Sequence, residues 1–142
     1  MRRLPAYFLA AAAFIPASAN FASAQFFQAP QLGAAMRSAG RQIYMDHCAA
    51  CHAWRSDSPS TQGPTLVGIV GRPAASVPGY PYSDALKKSG IVWTPDNLRK
   101  WLGDNAHMVP GTLMPHVSIT DPAEQLYVIE FLKTLNGSGR GR

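Results

Sequence analysis

Apolar side chains recur at three- and four-residue spacings in two parts of the chain and crowd together without a period at its beginning. The first periodic stretch, Gly33 to His47, sets Ala35, Met36, Ala39, Ile43 and Tyr44 along one side of a helix. Gly40 interrupts that stretch, and a glycine there weakens a helix by ~1 kcal/mol relative to alanine. Such a cost points to something packed closely against it, with Tyr44 one turn later on the same face. The second periodic stretch opens at Asp121-Pro122-Ala123-Glu124, a capping box joined to a first-turn proline, and Gly137 lies just past its end. Its apolar residues Leu126, Val128, Ile129, Phe131, Leu132 and Leu135 cover a wide face.

Two shorter helices are predicted between them. One covers Ser83 to Lys88; the other covers Thr94 to Gly103, with Thr94 as N-cap and Pro95 in the first helical position. Residues 55 to 81, rich in Ser, Pro and Gly, read as loop. No alternation long enough for a sheet occurs, so the expected class is all-α. Four modest helices with this much loop leave a thin core. A large buried cofactor would supply the missing centre.

The unperiodic opening carries a different message. Arg2 and Arg3 precede the mostly apolar run from Leu4 to Ile15, followed by the small residues of PASANFASAQ. That order is the pattern of a secretory signal peptide, with cleavage expected after Ala24 or else after Ala19. The run is shorter than the ~20 apolar residues of a spanning helix, and no later segment is apolar enough to cross a bilayer. The expected organisation is therefore a signal peptide over 1–24, a leader over 25–32, one domain over 33–136 and a flexible basic tail over 137–142. The mature protein is expected to be soluble and periplasmic.

Charge changes little. The 142 residues hold 13 Lys and Arg against 8 Asp and Glu; without Arg2 and Arg3 the balance is 11 to 8, a formal +3. Two of those cations, Arg140 and Arg142, stand in the GSGRGR tail. No patch of interleaved basic and aromatic residues argues for nucleic acid.

Both cysteines of the chain sit in HCAACHAW, residues 47 to 54, and His52 follows Cys51 directly. Cys48-Ala49-Ala50-Cys51-His52 is the C-x-x-C-H motif of c-type haem attachment. Two intervening residues let one helical turn present both sulfurs to the two vinyl groups of one haem edge, and the next residue aims its imidazole at the iron. Other readings of the pair are weaker. A disulfide closing so short a loop removes little chain entropy. A thiol–disulfide enzyme needs a βαβ pattern, and a zinc site needs four ligands, which this sequence does not space correctly. A second axial ligand for the iron could come from His107, Met108, Met114 or His116, all between the last two helices. Thioether sulfur favours ferrous iron, and Met114 follows a turn enforced by Pro110 and Gly111.

From Gly40 to Leu135 the chain resembles the soluble class I c-type cytochromes, in the bacterial group closest to mitochondrial cytochrome c. The landmarks are HCAACH, GPTLVGIVGR, GYPYSDALKKSGIVW, PGTLM and VIEFLKTL, in that order. The resemblance implies four to five short helices and long loops wrapped around one haem. Cys48 and Cys51 would form thioethers, with His52 and Met114 as axial ligands to the metal. The Pro64 carbonyl would accept the His52 imidazole N–H. Arg72, Tyr82, Trp93 and Thr112 fall where the family holds the haem propionates, and Gly40 and Tyr44 would meet Val128 and Phe131 where the first and last helices cross. Four positions depart from the pattern. Leu86 stands where relatives often have Asn, and Trp101 replaces a tyrosine whose hydroxyl usually lies near the methionine sulfur. His116 replaces an aromatic residue, and Leu113 a lysine beside the docking surface. Lys87, Lys88, Arg99 and Lys100 remain to steer partners.

The expected function is that of a monomeric, non-enzymatic carrier of single electrons. Its donor would be a dehydrogenase or quinol-oxidising complex and its acceptor an oxidase or reductase, met in transient complexes, with no small-molecule substrate. Two alternatives stay open: the dedicated haem subunit of one periplasmic dehydrogenase, and a five-coordinate haem enzyme or gas sensor.

Overall fold

Four helices follow one another as α1 (Ala29–His47), α2 (Asp84–Lys88), α3 (Pro95–Met108) and α4 (Pro122–Thr134). The structure, a computed structural model, describes residues 29–59, 62–115 and 118–135. The expected signal peptide, the first part of the expected leader and the tail from 137 lie outside the described residues. Among the described residues no helix is long and apolar enough to cross a membrane.

The starts of α3 and α4 are set by the capping side chains expected from the sequence, and α2 by Ser83, expected as its first residue and found as its cap. The Ser83 hydroxyl accepts from the Leu86 N–H, and Thr94 accepts from the Asn97 N–H with Pro95 at the first position. Asp121 accepts from the N–H groups of Ala123 and Glu124. Two boundaries differ from expectation. Helix α1 begins at Ala29, so residues 29–32 of the expected leader are helical, although all four are exposed. Helix α3 continues to Met108 rather than stopping at Gly103, with a break at Asp104 (φ −160°, ψ 89°). There the Asp104 carboxylate accepts from the His107 N–H at 2.9 Å, so the residue that ends one helical run also caps the next.

Helices α1 and α4 cross at Gly40. A Cβ at that position would overlap the Tyr127 carbonyl and come within 3.0 Å of the Val128 nitrogen. Beyond it the rings of Tyr44 and Phe131 meet at 5.3 Å and 58°. Gly40→Ala gains ~1 kcal/mol of helix propensity but forces two backbones apart. Overpacking against main chain outweighs that gain; a net loss of ~2–3 kcal/mol and a fall in Tm of about 10 °C or more are expected by thermal and denaturant unfolding.

Helix α4 buries Val128, Ile129, Phe131 and Leu132, while Leu126, expected on the apolar face, is 37% exposed. Gln125 is buried instead, and its amide donates to the Ile119 carbonyl at 2.7 Å. An isolated antiparallel bridge joins Pro73 to Val92, flanked by bonds from Trp93 N–H to Arg72 O (2.9 Å) and from Ala74 N–H to Ile91 O (2.8 Å). This bridge ties the long loop to the segment entering α3. Arg72 and Trp93 are thereby held side by side.

Candidate functional site

The chain continues past α1 in a tight turn. The Cys51 and His52 N–H groups both donate to the Cys48 carbonyl, at 3.1 and 2.9 Å, and the Tyr44 hydroxyl donates to the His52 carbonyl at 2.9 Å. One turn of chain therefore presents two sulfurs and an imidazole from a fixed base. Neither sulfur is in a disulfide. Burial, with Cys51 adding to it, pushes the Cys48 thiol up to about 11. Tyr44 is also shifted upward, by burial first and by Cys48 second, so its hydroxyl stays a donor.

His52 is positioned from its far side. Its Nδ1 lies 2.7 Å from the Pro64 carbonyl, which can only accept, so Nδ1 carries the hydrogen and Nε2 keeps its lone pair. Burial lowers the affinity of the ring for a second proton, partly opposed by that hydrogen bond. Gly63 makes the approach possible: a Cβ there would sit 2.5 Å from His52 Nδ1. The loop is anchored by the Gly63 N–H on the Cys51 carbonyl at 2.9 Å.

Met114 reaches the same place from the loop after α3. Gly111 takes φ +87°, a value open to glycine without strain, and the Thr112 N–H closes a turn on the Val109 carbonyl at 3.1 Å. The Thr112 hydroxyl accepts from the Met114 N–H at 3.3 Å. The thioether sulfur receives the indole N–H of Trp101 at 3.2 Å. Of the four candidate second ligands, Met114 borders the cleft, whereas Met108 borders a separate groove beside Lys100. His107 is exposed on the surface, and His116 lies outside the described residues.

Between these groups runs a cleft of about 330 Å³, walled mainly by apolar side chains and open to solvent. Cys48, Cys51, His52, Pro64, Arg72, Tyr82, Trp93, Trp101, Thr112 and Met114 all border it. Arg72 spends two guanidinium hydrogens on the carbonyls of Val67 and Thr65, each at 2.8 Å. Burial lowers its proton affinity and nearby Tyr82 raises it; burial raises that of Tyr82. Trp93 and Trp101 pack edge to face at 5.1 Å. Leu86, which stands where relatives often have Asn, is buried against the cleft and makes it more apolar.

The donor set fits a haem. An imidazole with its Nε2 lone pair free, a soft sulfur and two thiols one turn apart border one apolar space, and Gly63 leaves room for the imidazole ring. Sequence reasoning missed one residue of this assembly. Asn105 is fully buried, and its amide donates to the carbonyls of Met114 (3.1 Å) and Pro115 (3.3 Å).

Comparison with known proteins points the same way. The family model described as cytochrome c matches residues 38–136. The cytochrome c2 of Rhodopila globiformis is 41% identical over 96 residues, covering 68% of this chain and 90% of the relative. The cytochrome c of Euglena viridis is 38% identical over 96 residues, covering 68% and 93%. Among solved structures, cytochrome cH from Methylobacterium extorquens aligns with a TM-score of 0.64 at 41% identity, over 69% of this chain and 97% of its own. With the matched region running from within α1 through the end of α4 and containing the whole cleft, the chain belongs to the cytochrome c family, as a monohaem electron carrier rather than an enzyme.

Proposed function

We propose that this chain is a periplasmic carrier of single electrons, with haem bound through Cys48 and Cys51 and its iron held by His52 and Met114. The observation that carries this reading is the pair of donors bordering one cleft: an imidazole whose outer nitrogen is committed to Pro64, and a sulfur held by Trp101. The haem, when bound, supplies an iron that alternates between Fe(III) and Fe(II).

The protein's part is to hold that centre still. The Pro64 carbonyl fixes the tautomer of His52 and makes its Nε2 a better donor. The thioether sulfur of Met114 favours the ferrous state. The apolar walls from Leu86, Leu98, Trp101, Leu102, Val128 and Leu132 would limit the access of water to the iron. Arg72, Tyr82, Trp93 and Thr112 stand at the cleft as the groups to meet the propionates. With His52 and Met114 both holding the haem iron, no position would be left for a substrate, and the chemistry supplied would be electron exchange.

Spectroscopy of the oxidised holoprotein tests this. The long-wavelength sulfur-to-iron charge-transfer band is expected, and the native ferrous protein is expected to bind carbon monoxide slowly. Rapid carbon monoxide binding at neutral pH, with no such band, would instead establish an open iron and an enzyme or sensor.

The exposed Leu113 supports a second reading, that of a dedicated haem subunit. It is 73% exposed beside the exposed Pro115, at the mouth of the cleft. Of the four cations expected to steer partners, Lys87 and Arg99 each pair with an acid on their own helix. Affinity purification from the native periplasm decides between the two: one dehydrogenase recovered stoichiometrically favours the subunit, and no stable partner favours the free carrier.

A further inference from the structure

We propose that Asn105 and Trp101, on either side of the break in α3, are positioning residues that clamp Met114 at its two ends, main chain and sulfur. The proposal rests on the reading of Met114 as an axial ligand.

The amide end is the less expected one. Asn105 is 0% exposed and follows directly on the helix break at Asp104. Both carbonyls it faces, those of Met114 and Pro115, can only accept, so the NH₂ group must point at them; the reversed amide would bring three oxygens together. This leaves Oδ1 buried with no hydrogen-bond partner among the described residues. A leucine of similar size would avoid that orphaned acceptor. A buried amide with one side unsatisfied is destabilising, and its compensation here is the grip on the two carbonyls.

The indole end acts on chemistry as well as position. Trp101 Nε1 donates to Met114 Sδ at 3.2 Å. An indole N–H cannot accept and does not titrate in the working range of a protein, so this donor never reverses. It occupies one sulfur lone pair and leaves the other for the metal. By drawing electron density from sulfur it weakens donation to Fe(III) more than to Fe(II). Trp101 therefore sets the redox balance, whereas Asn105 sets how often the ligand lets go.

The clamp is read from the competition between Met114 and an added ligand. An outside ligand reaches the iron only in the fraction of molecules with Met114 released, so its apparent affinity scales with that fraction. Imidazole is titrated into the ferric holoprotein and followed by the charge-transfer band. Asn105→Leu removes both amide bonds and is expected to lower the imidazole Kd roughly tenfold or more, with the reduction potential near that of the parent. Trp101→Phe is expected to reduce the equilibrium constant for reduction several-fold while leaving the ferric imidazole Kd at or above that of the parent, and an unchanged equilibrium constant overturns the indole end of the clamp. Ile129→Val, in the α4 core and away from the cleft, controls for general loosening and is expected to leave the Kd unchanged. An Asn105→Leu Kd within twofold of the parent overturns the clamp, as does an equal shift in Ile129→Val. Should Asn105→Leu fail to mature, Asn105→Ser keeps one donor; an intermediate Kd supports the clamp and a parental one refutes it. If the parent shows no charge-transfer band, or Met114→Ala binds imidazole no more tightly than the parent, the assignment of Met114 itself falls, whatever Asn105 does.

Discussion

A Cys48→Ala/Cys51→Ala double variant is expected to be exported without covalent haem and to lose most of its helix content. The reason lies in what borders the cleft. Leu86, Trp93, Leu98, Trp101, Leu102, Val128 and Leu132 are core residues, and each also faces the space where the haem belongs. A cavity penalty of ~24 cal/mol per Å³ applied to about 330 Å³ gives about 8 kcal/mol. That is an upper bound, because the cleft opens to solvent. It is still as large as the whole net stability of an ordinary domain, about 5–15 kcal/mol. Mass spectrometry of the denatured chain reads the lost tetrapyrrole, and far-UV circular dichroism reads the lost helix. A double variant that keeps its helices without haem would show that protein side chains alone build the core.

Met114→His is expected to keep the haem attached and to lower the reduction potential by a few tenths of a volt, within the ~0.8 V span that axial ligands command. Imidazole donates more strongly to ferric iron than thioether does, so the oxidised form gains. The charge-transfer band disappears with the sulfur. A structural cost accompanies the electronic one: the Trp101 indole N–H, now 3.2 Å from sulfur, loses its acceptor while buried. An unmade bond of that kind costs about 1–3 kcal/mol, so the variant is also expected to unfold at lower denaturant concentration. Redox titration and denaturant unfolding read the two effects separately. An unchanged potential would remove Met114 from the iron.

How far the sequence reaches is clearest in α3. Gly103, Asp104 and Asn105 form helix poorly, which makes an end at Gly103 the natural reading. The backbone does break there, at Asp104, but the same carboxylate caps the N–H of His107 and starts the helix again. One residue acts as both stop and start, and a propensity pattern shows only the stop. Asn105 was illegible for a related reason. At a helix restart an asparagine reads as a surface cap, and its two carbonyl partners lie nine and ten positions away in the loop carrying Met114. By contrast, the starts of α2, α3 and α4 were legible, because capping is settled within four residues. Gly40 was legible as an anomaly: a helix-weakening residue in a periodic stretch required a close neighbour, and α4 is that neighbour. The cysteine pair and His52 were legible because their geometry is contained in a single turn. The exposure of Leu126 and burial of Gln125 were not, since one helix seen alone does not reveal which of its edges the rest of the chain covers.

The crossing at Gly40 also dictates an order of assembly. Its two partners stand at opposite ends of the domain's sequence, so the latch between them cannot shut until the final helix has been delivered. Until then the turn bearing Cys48 and Cys51, which hangs directly from the first of those partners, remains within reach of whatever machinery loads it. Closure of that latch therefore waits on residues 122 to 134, however early the first helix forms.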